Sequence, residues 1–197
     1  MDTVTASSAA SASAPETARG GTLIDVQLAG IEPVARDTNV YTFRRPDGGR
    51  LPPYKPGAHI DIHLPNGLIR QFSLLNPADN PDSYVVAIKL DAASRGGSRY
   101  IFDDLRAGHA LKISAPRNNF PLVEEAPEVV LFAGGIGITP IWCMAQQLQA
   151  QSRSWKLYYA AQSRADMAFL ALLEKFGPDR VHLHFDNEAD GKFLDLA

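Results

Sequence analysis

Residues 128–140 read Glu128-Val129-Val130-Leu131-Phe132-Ala133-Gly134-Gly135-Ile136-Gly137-Ile138-Thr139-Pro140. The segment is a continuous apolar strand running straight into a glycine-rich turn. Proline at 140 suits a first helical turn, where its missing N–H would have no partner in any case, so a helix starts near Pro140. Ile141, Met144, Ala145 and Leu148 then keep helical spacing. Further on, 156–161 reads as a strand, about 165–176 as a helix and 181–185 as a strand. Strand–helix–strand–helix–strand predicts a parallel sheet with helices on its faces.

Upstream the grammar is different. Leu23, Asp25 and Gln27 alternate with Ile24, Val26 and Leu28, and Val40-Tyr41-Thr42-Phe43 is β-branched and aromatic. His59-Ile60-Asp61-Ile62-His63-Leu64 alternates with period two, as a half-buried strand does. Further strands are expected at 68–75, 84–90 and 110–114, and a short helix at about 98–105. Turn signals separate them at Pro46-Asp47-Gly48-Gly49, Pro65-Asn66-Gly67 and residues 76–81. Short strands with tight turns predict an antiparallel barrel or sandwich. The expected organisation is therefore two domains, an antiparallel β-barrel over 21–116 and an α/β parallel-sheet domain over 117–197. Pro116, Pro121 and Pro127 mark the linker between them. Residues 1–20, rich in Ala, Ser and Thr, read as a disordered tail.

Composition narrows the function classes. The chain has 197 residues, a net charge of −3, 45% apolar and 21% charged residues, as an ordinary globular protein does. A pI near 5.9 gives no electrostatic footprint for nucleic acid or an anionic membrane. The lone Cys143 excludes an internal disulfide and any cysteine-held zinc or iron–sulfur cluster within this sequence. No apolar run approaches the ~18 residues that span a bilayer, and the N-terminus lacks a secretory pattern. The expected compartment is the cytoplasm.

Three clusters can carry chemistry. In the first, Gly134, Gly135, Gly137 and Thr139 sit at a strand-to-helix junction, where glycines admit a ligand close to the backbone and exposed amides favour anions. The spacing is neither G-x-G-x-x-G nor a P-loop. Such a turn also serves tight packing, but its place beyond the carboxyl end of a parallel strand favours a ligand. The second cluster is Arg70-Gln71-Phe72-Ser73, with Arg70 and Phe72 on one strand face and Gln71 and Ser73 on the other. A cation, an aromatic plate and a hydroxyl in four residues can hold a planar, phosphorylated cofactor; an ordinary half-exposed strand is the plain alternative. The third is Arg95-Gly96-Gly97-Ser98, either an anion site at a helix start or a flexible hairpin loop capped by Ser98.

Taken together and in this order, the three clusters resemble the ferredoxin–NADP reductase superfamily. The run Ser114-Ala115-Pro116-Arg117-Asn118-Asn119-Phe120-Pro121-Leu122 before the glycine motif is similar to the phthalate dioxygenase reductase group, which includes vanillate demethylase reductases. The resemblance implies a flavin-binding barrel followed by a nicotinamide-nucleotide domain. Arg70 would then meet the flavin phosphate, Phe72 would pack on the flavin and Ser73 would face its N5. The backbone at Ala87, Ile88 and Lys89 would line the ring and ribityl region, and Gly97 and Ser98 would bind phosphate. Gly134, Gly135, Gly137 and Thr139 would receive the nicotinamide nucleotide, with Ser73 and Thr139 closest to the reacting rings. The likeness favours FMN over FAD and NADH over NADPH, while Ser163-Arg164 keeps NADPH open through a 2′-phosphate contact. It implies a flavoprotein oxidoreductase passing electrons from NAD(P)H to an iron–sulfur centre of an oxygenase or demethylase. The partner is then an oxygenase component, with a Rieske type among the candidates.

The sequence departs from the family pattern in two places. Phe72 stands where tyrosine is usual. The Cys-Gly-Pro segment and the 2Fe–2S ferredoxin domain of the family are not in this sequence, which ends at Phe193-Leu194-Asp195-Leu196-Ala197 with its parallel sheet unfinished, like the front part of a longer protein. Competing readings are a stand-alone flavin reductase and a non-catalytic flavin-binding module or inactive fragment. His59, Asp61 and His63, and likewise His182, His184 and Asp186, share strand faces and could be written as metal sites, but solvent-facing strands alternate polar residues in the same way. No metal is expected.

Overall fold

The computed structural model describes residues 22–77, 81–91, 93, 96–123 and 125–188. The expected tail at 1–20, Arg95, the turn residue Asn80 and the run 193–197 lie outside them.

The first unit is an antiparallel sheet of β1 (Ile24–Ala35), β2 (Thr38–Arg44), β3 (Ala58–His63), β4 (Ile69–Ser73), β5 (Tyr84–Lys89) and β6 (Ala110–Ile113), in the order β4-β3-β6-β1-β2-β5. Period two places Val26, Leu28, Tyr41, Phe43, Ile60, Ile62, Tyr84, Val86, Ile88, Leu111 and Ile113 in one core. Helix α1 (Gly97–Asp104) adds Ile101 to that core, and Leu105 follows from its C-terminal cap. The sheet curls into a barrel that does not close. Its two edges, β4 and β5, stand beside each other without a ladder between them. One backbone bond, Leu75 N–H to the Val85 carbonyl at 2.8 Å, pins the bottom of this seam. Asn76 fixes the turn, its side chain accepting from Val85 N–H at 3.2 Å and donating to the Ser83 carbonyl at 3.3 Å.

Two findings differ from the expected strands. β1 runs on to Ala35 through Pro33, its register shifting at Leu28/Gly30 and Pro33/Ala35. A proline cannot donate to a ladder, and the irregularity accommodates it. A short strand, β7 (Arg117–Asn118), pairs with β3 inside the expected linker.

The second unit is a parallel sheet in the order β10-β9-β8, from β8 (Glu128–Gly134), β9 (Ser154–Ala161) and β10 (Val181–Phe185). Helix α2 (Ile138–Ala150) crosses from β8 to β9 and buries Ile141, Trp142, Ala145 and Leu148 against Leu131, Trp155, Leu157 and Tyr159. The helix expected at 165–176 is broken into 3-10 turns at Arg164–Asp166 and Glu174–Phe176 around α3 (Leu170–Leu173). Phe169 breaks it: its backbone is left-handed at φ 64°, and its ring stacks on Trp142 at 5.7 Å. Packing of that aromatic outweighs local helix propensity.

The two units are knitted together. Cys143 of α2 lies in the barrel core, and Leu75 and Ala87 of the barrel lie in the second core. Gln146 of α2 donates to the Leu75 carbonyl at 2.8 Å, and Arg36 N–H to the Ala165 carbonyl at 2.7 Å. No helix among the described residues is long and apolar enough to cross a membrane.

Candidate functional site

At one end of the seam, the second and third sequence clusters, both in the barrel, meet. Arg70 lies across the start of α1: a Cβ placed on Gly97 would stand 3.0 Å from Arg70 Cγ and Cδ and still closer to Nε. Only glycine leaves room for that side chain. Gly96, at φ 97°, turns the chain into the helix, and α1 has neither a side-chain cap nor an acidic residue in its first turn. Free amides at a helix start carry positive potential. The Arg70 guanidinium beside them pairs with no carboxylate among the described residues and donates only to the Ile69 carbonyl, at 2.8 Å. Two positive features side by side favour an anion between them. Ser98 completes the corner, its hydroxyl accepting from Asp91 N–H at 3.2 Å.

Along the seam, β4 presents Phe72, half-buried against the barrel core and opposite Ile60, and Ser73 opposite His59. The Gln71 amide, on the same strand face as Ser73, donates to Asp61 at 3.3 Å. Across the gap, Ala87 and Ile88 on the β5 edge are 3% and 2% exposed. Lys89, half-buried, ends that strand.

β5 packs against the 3-10 turn Gly135–Gly137, which brings the glycine motif to the same seam. A Cβ on Gly134, Gly135 or Gly137 would meet nothing within 4 Å, so the turn faces open space. Gly135 needs its φ of 49°. Its carbonyl accepts from the Tyr159 hydroxyl at 3.0 Å, and burial pushes that phenol up to about 12. Thr139 is buried, its hydroxyl donating to the Ile136 carbonyl at 3.2 Å, so it braces the turn.

The structure thus gathers Arg70, Phe72, Ser73, Gly97 and Ser98 with Gly134, Gly135, Gly137 and Thr139 around one seam, with the β5 edge between. Sequence reading missed Asn76, Gln146 and Tyr159, which hold the seam and the turn through bonds spanning 9, 71 and 24 residues. No local pattern signals such pairs. Of the two polar trios, Asp61 is taken up by Arg117 at 2.7 Å and by Gln71, while His182 stacks on Tyr158 at 4.4 Å.

An open antiparallel barrel docked against a parallel unit that opens on a bare glycine turn is the two-domain arrangement of the ferredoxin–NADP reductase fold. The comparisons place it more narrowly. Over 177 residues the chain is 50% identical to tetrachlorobenzoquinone reductase of Sphingobium chlorophenolicum, covering 88% of this chain and 55% of that protein. Over 176 residues it is 46% identical to a vanillate O-demethylase oxidoreductase of a Pseudomonas strain, covering 89% and 56%. It superposes on phthalate dioxygenase reductase, solved as a modular structure for electron transfer from pyridine nucleotides to a 2Fe–2S centre, with TM-score 0.83 and 38% identity over 88% of this chain and 55% of that one. No family profile matches the chain. The chain belongs to the ferredoxin–NADP reductase superfamily, in the group similar to phthalate dioxygenase reductase. It spans about half the length of the curated relatives it matches.

Proposed function

We propose that the chain is the flavin- and nicotinamide-binding part of an NAD(P)H-dependent reductase that sends electrons to an iron–sulfur centre serving an oxygenase or demethylase. The observation that carries this reading is Arg70, a half-buried cation with no acid among the described residues, laid over the uncapped start of α1. That corner fits the terminal phosphate of FMN. A flavin bound there supplies the hydride-accepting ring and the one-electron exit. The protein's part is to bind and orient. Arg70 and the α1 amides clamp phosphate, Phe72 backs the ring, and Ser73 offers a hydroxyl at its polar edge. The β5 backbone lines the other side.

Gly134, Gly135 and Gly137 leave room for the nicotinamide nucleotide, and Thr139 keeps the turn in shape. NADH suits the site better than NADPH. Arg164, the residue that could meet a 2′-phosphate, is tied to Glu174 and Glu188 at 3.3 and 3.2 Å and lies 4.5 Å over the Phe185 ring. Two separate cores support domains at 21–116 and 117–197, with Cys143 as the insertion that couples them. The relatives' names support an oxygenase component as the electron acceptor.

Anaerobic stopped-flow mixing of the FMN-loaded chain with NADH tests the function. Bleaching of the flavin band that saturates with NADH is expected. Flavin that binds yet stays oxidised would reduce the chain to a binding module.

A further inference from the structure

His59 is 7% exposed, and its Nε2 has no hydrogen-bond partner among the described residues. Its neighbour on that face of β3, Asp61, is provided for. Asp61 accepts from Arg117 Nη2 at 2.7 Å and from Gln71 at 3.3 Å, and its backbone exchanges bonds with Ser114. Native folds leave few buried polar atoms unsatisfied, and those few ask for a missing partner.

Register shows where the partner would come from. His59 stands directly opposite Ser73 on β4 and opposite Arg117 on β7, so the three side chains form a row across the sheet. Directly opposed residues hold their Cβ atoms about 4.5–5.5 Å apart. Ser73 belongs to the edge strand of the seam, so the His59 imidazole lies one strand behind its hydroxyl.

We propose that His59 is a further flavin-binding residue, its Nε2 hydrogen-bonding the polar edge of the ring that Ser73 faces. This rests on the flavin reading above. The ring edge carries carbonyl and imine acceptors and an imide donor, and a neutral imidazole can match either kind. Burial holds the His59 pKa below its usual range; Arg117 acts in the same direction and Asp61 opposes it. The ring is therefore neutral near pH 7 and places no second cation beside the cofactor.

The test titrates FMN into the chain and follows flavin fluorescence, with His59→Leu and His59→Gln beside the parent. We expect about tenfold weaker binding for His59→Leu, the size of one lost buried hydrogen bond, and recovery of most of it in His59→Gln, which keeps a polar hydrogen-bonding group. Nitrogen-15 NMR of the parent chain supplies a readout that needs no variant: the His59 Nε2 resonance should move when FMN is added. An unmoved resonance with FMN bound, or a folded His59→Leu that binds as the parent does, overturns the assignment and leaves the flavin reading standing. A parent chain that takes up no FMN overturns both. Should His59→Leu fail to fold, the NMR shift decides.

Discussion

Arg70 and Gly97 form one device, since the arginine lies where any side chain on residue 97 would be. Two substitutions therefore share a prediction. Arg70→Ala removes charge-assisted bonds to the phosphate and should weaken FMN binding by about 2 kcal/mol, roughly thirtyfold. Gly97→Ala pushes the intact arginine aside and should weaken it by a smaller factor, with little change in melting temperature; equilibrium titration of both variants measures this. Gly97 was visible in the sequence as one of a glycine pair. What was not visible is that it makes room for a residue 27 positions earlier.

His59 makes a separate prediction for the flavin-free chain. Its pKa in the fold lies below the usual 6.5, so the unfolded chain binds the proton more readily. Stability attached to this group is present above pH 6.5 and is lost as pH falls below it. Desolvation is the chief cause, with Arg117 adding to it and Asp61 countering it. The urea midpoint should drop on acidification, and His59→Gln should show a shallower drop.

At the level of elements, the glycine turn is the most exposed to test. Gly134 is in extended backbone, which any residue adopts, and a Cβ placed there meets nothing within 4 Å. Gly134→Ala should fold and bind FMN normally while raising the NADH KM about tenfold, as a methyl-sized obstruction costs ~1–2 kcal/mol of binding. Steady-state kinetics at fixed FMN checks it.

The elements also show what was legible in the chain and what was not. Period two gave the barrel strands, because a half-buried strand writes its burial into every second residue. The continuous apolar run and Pro140 marked β8 and the start of α2, although the helix opens two residues earlier, at Ile138. β1 runs past the alternation at 23–28, which does not mark its end, and a register shift absorbs Pro33 within it. The helix expected at 165–176 failed for a tertiary reason: Phe169 is drawn under Trp142, a preference that no local pattern carries.

For the molecule as a whole, the seam works only if the two units stay in register. Cys143 inside the barrel core and Gln146 on Leu75 hold them. Gly57 makes the third joint: at φ 94° it brings its backbone against the Phe120 carbonyl, and an added Cβ would collide with that oxygen and stand 3.1 Å from Met144 Cε. Gly57→Ala should cost at least ~2 kcal/mol, read as a lower melting temperature, because strained φ and a backbone clash act together.

The flavin site is the premise on which the nucleotide turn, His59 and the oxygenase partner all depend. Gel filtration of the chain after incubation with FMN, with visible absorbance recorded across the protein peak, tests it most directly. The parent should retain FMN in equimolar amount, and Arg70→Ala should lose most of it. A colourless parent peak, or equal retention by Arg70→Ala, would contradict the assignment of the Arg70–Gly97 corner as the phosphate site.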